Sequence, residues 1–254
     1  ARAHVAVEPG NGLMSMRETD ADWAILGDDE PFFGVFSHEK FLRRNLTPEV
    51  LAEFWASGVE EIQYLRRVLI DHFGDFQAGH AVDFGCGVGR LTRALAEVCD
   101  RVTGVDVSPG MLAEANRHRL PNITYTDRLS DQTFDWINSV IVFQHIPPVR
   151  GYGLFADLLG RLNPGGVVSV QFTLFKDEAF IGAVAEPIRR ASWDGETLRV
   201  MDQTPHPPGA MMMYDYDLNR LMSLLTDHGV ETVFLEHADH GGCHGVRLFG
   251  RRGD

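Results

Sequence analysis

The sequence predicts an α/β fold built on a mostly parallel sheet with helices on both faces. From residue 80 onward, short runs rich in β-forming residues alternate with stretches of helical spacing, and strands separated by helices pair in parallel through right-handed crossovers. The last two runs follow each other closely, which predicts a hairpin and one antiparallel strand. The predicted strands are 80–85, 101–106, 122–127, 134–143, 165–172, 230–237 and 245–252, and the predicted helices are 89–99, 109–118, 149–162 and about 215–228.

The residues before this alternation predict a helical segment. The stretch 47–74 places apolar side chains at helical spacing. Thr47 and Pro48 provide a capping hydroxyl and a proline at the first helical position, and Gly74 is a suitable end. We therefore interpret residues 1–77 as a helical cap on the sheet rather than as an independent domain.

Composition and charge limit the classes of function. The chain has 254 residues, 44% of them hydrophobic, which is close to the upper size for one hydrophobic core. Its formal net charge of −13 argues against a nucleic-acid-binding surface, because neutralising phosphates needs clustered lysine and arginine. Three widely spaced cysteines argue against a disulfide framework. With neither a long apolar run nor a signal-peptide pattern, we expect a protein of the reducing cytoplasm.

A glycine-rich turn is the most informative feature of the sequence. The stretch AVDFGCGVGR, residues 81–90, carries three glycines in five positions, Gly85, Gly87 and Gly89. Bare backbone lets a ligand come close, and the N-terminus of the next predicted helix offers free N–H groups. A turn between a buried strand and a helix is where open α/β sheets bind nucleotides.

The residues around the turn indicate which nucleotide it holds. A dinucleotide fingerprint spaces its glycines G-x-G-x-x-G for a pyrophosphate, whereas here the spacing is G-x-G-x-G. Asp83 precedes the turn, and a carboxylate there suits a cationic ligand. Asp106 ends the second predicted strand, 21 residues after Gly85, where an acid can accept hydrogen bonds from ribose hydroxyls. S-adenosylmethionine, an adenosyl sulfonium without phosphates, meets these requirements.

Four motifs follow one another along the chain. They are VDFGCGVGRLT at the glycine turn, VTGVDVSPGML at the ribose acid, FDWINSVIVFQHIPP at the fourth strand, and LLGRLNPGGVVSVQF at the next helix, turn and strand. In this order they resemble the class I S-adenosylmethionine-dependent methyltransferases, in the branch that acts on small molecules, over about residues 75–254. The resemblance implies a Rossmann-like sheet of seven strands, the last antiparallel and inserted beside the sixth. It also implies S-adenosylmethionine as cofactor and S-adenosylhomocysteine as product.

On this interpretation the chain is a single methyltransferase domain with four parts. Residues 1–77 are the helical cap, and residues 78–172 form the cofactor-binding half. Residues 173–213, which contain clustered prolines and methionines, are predicted to be a loop-rich insertion that forms a lid over the substrate. Residues 214–254 supply the final helix and the β-hairpin.

The resemblance assigns cofactor-binding roles residue by residue. The backbone of the turn approaches the methionine part, Asp83 serves its amino group, Asp106 holds the ribose and Val107 packs on the adenine. Asp127 matches an acid that contacts the adenine amine in many relatives, although TDRLSD is also a plain polar loop and Arg128 departs from the usual small apolar neighbour. The predicted set is Asp83, Gly85, Cys86, Gly87, Gly89, Arg90, Asp106, Val107, Asp127, Arg128, Ser139 and Phe143.

Gln144 and His145 fall where relatives with the sequence QHI place the floor of the substrate pocket. Methyl transfer from a sulfonium is an in-line displacement, so the protein mainly aligns the nucleophile and excludes water. An amine or hydroxyl acceptor must also lose a proton, and His145 is the candidate general base because its reference pKa suits neutral pH. A carboxylate or phosphonate acceptor needs no base, and His145 would then bind the anion. A third possible role is only to shape the pocket.

Residues of the cap, the insertion and the final hairpin are candidates for substrate binding. Two adjacent arginines in an acidic protein have two interpretations, an anionic acceptor or, as the default, a solvated helix face. The histidine-rich stretch 236–245 lacks the spacing of closed zinc sites, so we predict no metal. The predicted substrate-binding residues are Phe33, Trp55, Gln144, His145, Arg189, Arg190, Tyr214 and His240.

The sequence therefore predicts methyl transfer from S-adenosylmethionine to a small molecule, at a hydroxyl, carboxylate or phosphonate-type oxygen. The alternatives are an N-methyltransferase acting on a small amine or peptide, and a binding protein that kept the fold without catalysis. A nicotinamide-dependent dehydrogenase is disfavoured, because the pyrophosphate-type glycine spacing and a Tyr-x-x-x-Lys pair are both missing. We expect a monomer or homodimer that binds neither nucleic acid nor membrane.

Overall fold

A seven-stranded mixed sheet lies at the centre of the structure. The computed structural model describes residues 19–76, 78–184, 189–193, 198–202 and 209–254. In chain order the strands are β1 (His80–Phe84), β2 (Arg101–Val105), β3 (Ile123–Thr126), β4 (Phe134–Ser139), β5 (Leu162–Lys176), β6 (Arg189–Trp193), β7 (Leu198–Asp202), β8 (Thr232–Asp239) and β9 (Cys243–Arg251).

The strand order of the main sheet is β3-β2-β1-β4-β5-β9-β8, and β6 pairs with β7 separately. Strand β9 runs antiparallel to both of its neighbours, whereas the other adjacent pairs of the main sheet run parallel. This confirms the predicted sheet of seven strands whose last strand is antiparallel and inserted beside the sixth. Val82 of β1 lies opposite Thr103 of β2 and Ile137 of β4, so the carboxyl ends of these strands meet at one edge.

Helices cover both faces of the main sheet. Among the described residues, no helix is both long enough and apolar enough to cross a membrane. Short 3₁₀ turns occur at Glu39–Phe41, Arg43–Asn45 and Phe143–His145. The α-helices are α1 (Asp20–Asp29), α2 (Pro31–Val35), α3 (Pro48–Phe73), α4 (Arg90–Leu95), α5 (Pro109–Arg117), α6 (Pro148–Gly160), α7 (Glu178–Val184) and α8 (Leu218–Asp227).

Two hydrophobic layers hold the helices against the sheet. On one face, Phe155 of α6 and Leu221 of α8 are buried in a cluster that includes Val168 of β5. On the other face, Ile62 of α3 and Leu95 of α4 belong to a second buried cluster. Burying apolar side chains in this way is the main driving force for folding, and it fixes both layers relative to the edge where β1, β2 and β4 end.

Helix α3 begins and ends where the sequence predicts. The Thr47 side chain caps its first turn, Pro48 is its first residue, and Gly74 ends it with a positive φ of 77°. A third buried cluster, in which Phe54 of α3 packs with Phe32 of α2, joins this helix to the N-terminal helices. Val88 of the glycine turn belongs to the same cluster, so the helical segment lies against the end of the sheet that carries this turn.

The structure differs from the prediction in the segment after β5. The predicted loop-rich insertion, 173–213, begins with the end of β5, because β9 continues to pair with β5 as far as Lys176. Helix α7 and the β6–β7 pair follow, so the described part of the insertion is largely regular structure. The other predicted residues of the cap and insertion, 1–18, 77, 185–188, 194–197 and 203–208, lie outside the described residues.

The close approach of α3 to α4 predicts a measurable effect at Gly58. A Cβ atom at this position would overlap the carbonyl oxygen of Arg90, which is backbone and cannot move aside cheaply. We expect Gly58→Ala to lower the free energy of unfolding by about 1–3 kcal/mol, the usual cost of overpacking.

The matched control is Gly153→Ala on α6, where a Cβ would meet nothing within 4 Å. There we expect a gain of about 0.5–1 kcal/mol from helix propensity. Denaturant unfolding of both variants measures these effects. Equal effects of the two substitutions would contradict the close contact between α3 and α4.

Candidate active site

A large cavity opens at the edge where β1, β2 and β4 end. Its volume is about 1,170 Å³, and its wall also includes residues of α1, α3 and the turn between β8 and β9. Pockets that hold one drug-sized ligand span roughly 300–1,000 Å³. The cavity therefore has room for a nucleoside-sized ligand together with a second small molecule.

The glycine turn contributes Gly85 and Gly87 to the cavity wall. Gly85, Gly87 and Gly89 all have positive φ, at 76°, 53° and 86°. Residues other than glycine adopt this backbone conformation only with strain. A Cβ at Gly85 would overlap Val142, and a Cβ at Gly87 would overlap Val35. The glycines are therefore required by the packing of the protein's own side chains as well as by any approaching ligand.

Asp106 ties the end of β2 to this turn. Its carboxylate accepts hydrogen bonds from the backbone N–H groups of Gly87, at 2.8 Å, and Ser108, at 2.9 Å. Burial raises the pKa of Asp106 to about 6, although these two hydrogen bonds oppose the rise. Each carboxylate oxygen accepts only one of these bonds, so lone pairs remain for a ligand.

Asp83 lies deeper in the cavity, at the end of β1. Its carboxylate accepts hydrogen bonds from the Thr92 hydroxyl, at 2.6 Å, and from the Asn138 amide, at 2.9 Å. Burial raises the pKa of Asp83, and the hydrogen bonds from Thr92 and Asn138 lower it. Two buried carboxylates on one wall make the cavity suited to a cationic ligand.

Arg90 is a buried cation beside these carboxylates. It is the first residue of α4, lines the cavity, and is 9% exposed. Its NH1 group donates to the Ser57 hydroxyl at 3.3 Å, whereas among the described residues its Nε has no hydrogen-bond partner. Cys86 also lines the cavity, and burial raises the pKa of its thiol well above the usual range, so the thiol stays protonated.

The remaining predicted cofactor residues divide into two groups. Val107, Asp127 and Arg128 lie on the cavity wall, and the last two pair with each other at 2.9 and 3.0 Å. The structure does not place Gly89, Ser139 or Phe143 on that wall. The Ser139 hydroxyl donates to the Phe84 carbonyl at 2.8 Å, and Phe143 is fully buried beside Phe84 and Phe172 in the core, so these two side chains support the site from behind.

Gln144 and His145 lie on the wall and form one hydrogen-bonded chain. The Thr173 hydroxyl donates to Gln144 Oε1 at 3.1 Å, and Gln144 Nε2 donates to His145 Nε2 at 3.1 Å. His145 Nδ1 then donates to the Met212 carbonyl at 2.7 Å. Because a carbonyl oxygen can only accept, the proton of the neutral ring sits on Nδ1.

This arrangement favours the third of the roles predicted for His145, which is to shape the pocket. Both ring nitrogens are engaged, so neither is free to take a proton from an acceptor. Burial lowers the pKa of His145 to about 4, so the ring is neutral at pH 7 and does not attract an anion as a cation would. His145 instead fixes the pocket floor: its carbonyl accepts from the Thr19 hydroxyl at 3.0 Å, and Trp23 packs edge-on against the ring.

The predicted substrate residues are only partly brought together. His240 lies on the wall, whereas Phe33 and Trp55 do not, because Trp55 packs with Phe32 and Phe54 in the helical segment. The Tyr214 N–H donates to the Gln144 carbonyl at 2.6 Å, which connects the segment after β7 to the pocket floor. In the β6–β7 pair, Arg189 lies opposite Asp202, and Arg190 lies opposite Met201.

Several wall residues were not singled out from the sequence. They include Trp23, Glu61 and Arg247. Arg247 NH2 lies 3.0 Å from Glu61 Oε1, and no local pattern signals a pair so far apart in the chain. Among the described residues, no three His, Cys, Asp or Glu side chains are grouped as metal ligands.

Residues 81–166 match a family model described as a methyltransferase domain. The trans-aconitate 2-methyltransferase of Acidovorax sp. (strain JS42) is 33% identical over 132 residues, which cover 49% of this chain and 50% of that protein. The protein of the same name from Escherichia coli O157:H7 (strain EC4115 / EHEC) is 33% identical over 117 residues, 43% of each chain. The chain thus spans about half the length, or less, of these curated relatives.

Solved structures share the fold. Magnesium protoporphyrin IX methyltransferase from Synechocystis PCC 6803, crystallised with bound S-adenosylhomocysteine, superposes with a TM-score of 0.59 over 91% of this chain and 99% of that chain, at 16% identity. The amino pentose methyltransferase CalS10 from Micromonospora echinaspora superposes with a TM-score of 0.51 over 82% of this chain and 97% of that chain, at 18% identity. At such identities, these likenesses concern the fold alone.

The buried neutral His145 predicts an acid-sensitive stability. Its folded-state pKa of about 4 lies below the unfolded value of about 6.5, so between these pH values the unfolded chain alone takes up the proton. Stability from this residue is therefore lost as the pH falls through that window. Between pH 7 and pH 5, we expect the wild type to lose about 2 kcal/mol more unfolding free energy than His145→Gln. Denaturant unfolding at the two pH values measures this, and parallel losses would contradict it.

Proposed function

Because the chain belongs to the class I S-adenosylmethionine-dependent methyltransferases, we propose that it binds S-adenosylmethionine in this cavity and transfers the methyl group to a carboxylate oxygen of a small molecule. The observation that carries the proposal is the hydrogen bond from Gly87 to Asp106, which places a carboxylate with free lone pairs beside the glycine turn. An acid at this position can accept hydrogen bonds from the ribose hydroxyls.

The other wall residues fit the same cofactor. Asp83 gives the turn a negative charge that suits the sulfonium and the amino group. Arg90 carries an Nε–H without a partner among the described residues, and it is suited to the carboxylate of the methionine part. Val107, which follows β2, is 41% exposed and offers an apolar surface to the adenine.

The chemistry that the bound cofactor supplies is an electrophilic methyl group on sulfur. Transfer would break the carbon–sulfur bond as the carbon–oxygen bond formed, and sulfur would keep the electron pair. The chain's residues need only orient the acceptor and exclude water. A carboxylate acceptor is already ionised at neutral pH, so it requires no proton transfer. This agrees with a His145 whose ring nitrogens are both engaged.

The relatives named trans-aconitate 2-methyltransferase support a small acid as acceptor. Because only part of each relative is matched, the acceptor of this chain is a proposal of its own. A carboxylate acceptor yields a methyl ester, whereas hydroxyl, amine and carbon acceptors yield ethers, methylamines or carbon–methyl bonds. These products differ in their stability to alkali, which provides a direct assay.

The ester proposal is tested with S-adenosylmethionine that carries a labelled methyl group. We expect incubation with a pool of small metabolites to give label that mild alkali releases as methanol. We also expect kcat/KM to be level between pH 7 and pH 9, because no group needs to lose a proton in that range. Label that resists alkali, or kcat/KM that rises with pH, would instead indicate a hydroxyl or amine acceptor.

The cofactor assignment predicts a specific loss in Asp106→Ala. Hydrogen bonds to a charged group contribute about 1.5–3 kcal/mol, so the affinity for S-adenosylhomocysteine should fall at least tenfold. Titration calorimetry measures the affinity, and Asp71→Ala, at an exposed position on α3, serves as the matched control. If both variants bind like the wild type, Asp106 does not hold the ribose.

A further inference from the structure

A row of polar side chains crosses three neighbouring strands below helix α3. Gln171 of β5 lies opposite Arg247 of β9, and Arg247 lies opposite Glu236 of β8. Directly opposed residues project from the same face of a sheet. Glu61 and Tyr64 of α3 reach this row: Glu61 pairs with Arg247, and the Tyr64 hydroxyl donates to Glu236. The contact between α3 and strands β5, β9 and β8 is therefore polar at this place.

Arg247 is the centre of this row and is incompletely paired. Its NH2 group lies 3.0 Å from Glu61 Oε1, its NH1 group lies 3.9 Å from Glu236 Oε2, and its guanidinium lies 5.2 Å from the centre of the Tyr64 ring. The Glu61 oxygen is close to Arg247 but is not in hydrogen-bonding geometry. A guanidinium carries five N–H donors in a planar fork, so Arg247 retains donors for another partner.

The acceptor atoms around Arg247 are also unsatisfied. Among the described residues, Glu61 Oε1, Glu236 Oε2 and Gln171 Oε1 are buried and have no hydrogen-bond partner. The other end of the Gln171 side chain donates to His240 Nε2. Buried polar atoms are normally hydrogen-bonded, so unpaired acceptors around an arginine that lines a cavity favour a polar ligand over an apolar one.

Arg247, at the centre of this row, lines the cavity that we propose holds the cofactor. Arg247, Glu61 and His240 line it, together with Gly85, Gly87 and Asp106. Ser57, on the same face of α3 as Glu61, accepts the hydrogen bond from Arg90, so one helix face extends from the cofactor turn to Arg247. An acceptor in the remaining volume would therefore meet Arg247 and Glu61.

Resting on the proposed function, we infer that Arg247 and Glu61 select the acceptor, and that the acceptor is a small dicarboxylic acid that also carries a hydroxyl or an ammonium group. Arg247 pairs with one carboxylate through its remaining donors, and the hydroxyl or ammonium donates to the Glu61 carboxylate. An oxygen paired with a guanidinium is a weaker nucleophile, so the methyl group goes to the second carboxylate.

The charges of the row favour this bifunctional ligand. A ligand with carboxylates only would offer no hydrogen-bond donor to Glu61 and would be repelled by Glu61 and Glu236. A ligand with an ammonium group only would leave the fork of Arg247 without an anion. A hydroxy- or amino-dicarboxylic acid satisfies both kinds of free atom.

The test measures ligand binding to the protein saturated with S-adenosylhomocysteine. The probes are matched four-carbon acids, succinate, malate and aspartate, with glutarate, 2-hydroxyglutarate and glutamate as their five-carbon counterparts. We expect acids with a hydroxyl or amino group to bind at least tenfold more tightly than the plain diacid of the same length. Calorimetry gives the affinities, and thermal shift provides a second readout.

Variants separate the two residues. Arg247→Met should weaken every diacid at least tenfold, and Arg247→Lys should restore part of that loss because it keeps the charge. Glu61→Gln should remove the preference over the plain diacid while plain diacids still bind. Arg119→Met, at an exposed arginine away from the cavity, is the control and should change nothing.

The outcomes distinguish this inference from the proposed function. If the wild type fails to bind S-adenosylhomocysteine, the proposed function is wrong, and the inference that rests on it fails too. If the cofactor product binds but no diacid does, or the preference survives in Glu61→Gln, only the inference is overturned. Tighter binding of a simple amine or an uncharged compound than of any diacid would also overturn it.

Discussion

The hydrogen bond from the Gly87 N–H to the Asp106 carboxylate is the interaction on which the rest of the site depends. It joins a turn after one strand to an acid at the end of its neighbour. The Val105 carbonyl adds to this connection by accepting from the N–H groups of Gly85 and Cys86, at 2.7 and 2.9 Å. The parallel register of β1 and β2 makes these contacts possible. These contacts fix the position of the glycine-turn backbone relative to the Asp106 carboxylate, and both face a bound ligand.

Burial then determines the charge state of the cavity. Two carboxylates, Asp83 and Asp106, have raised pKa values because burial disfavours their ionised form, and His145 has a lowered one for the same reason. A bound cation offsets the cost of burying the two ionised carboxylates, since a nearby positive charge stabilises them. The neutral histidine is different: its hydrogen bonds connect the pocket floor to the segment that carries Met212. The wall is thus prepared for a cation, and the floor is held by uncharged contacts.

The sequence predicted those parts of the molecule that depend on local pattern. The alternation of strands and helices led to the observed sheet, and the spacing of Asp83, the glycines and Asp106 located the turn and its acid. Side-chain direction within the fourth strand and the turn after it was less predictable. Ser139 and Phe143 belong to a motif beside the cavity, but their side chains face the core because Phe84 and Phe172 pack there. Nor did the sequence show that Met212 and Gln144 would occupy both nitrogens of His145, since these contacts form between distant segments.

The acceptor end of the cavity was harder to foresee for the same reason. Arg247 and Glu61 are on different elements, and only the insertion of β9 between β5 and β8 brings them together. In the sequence, Glu61 is one polar residue of a helix whose apolar face is the stronger signal. Its partner Arg247 lies in the last predicted strand, where the sequence indicates only an ordinary hairpin. Long-range pairs of this kind become visible only when the topology is known.

The most direct test of the central claim is a crystal structure of the chain with S-adenosylhomocysteine. We predict that the ribose hydroxyls will lie within hydrogen-bond distance of the Asp106 carboxylate, with the homocysteine part beside Gly85 and Gly87. A ligand bound elsewhere, or a cavity that stays closed to it at saturating concentration, would contradict the account.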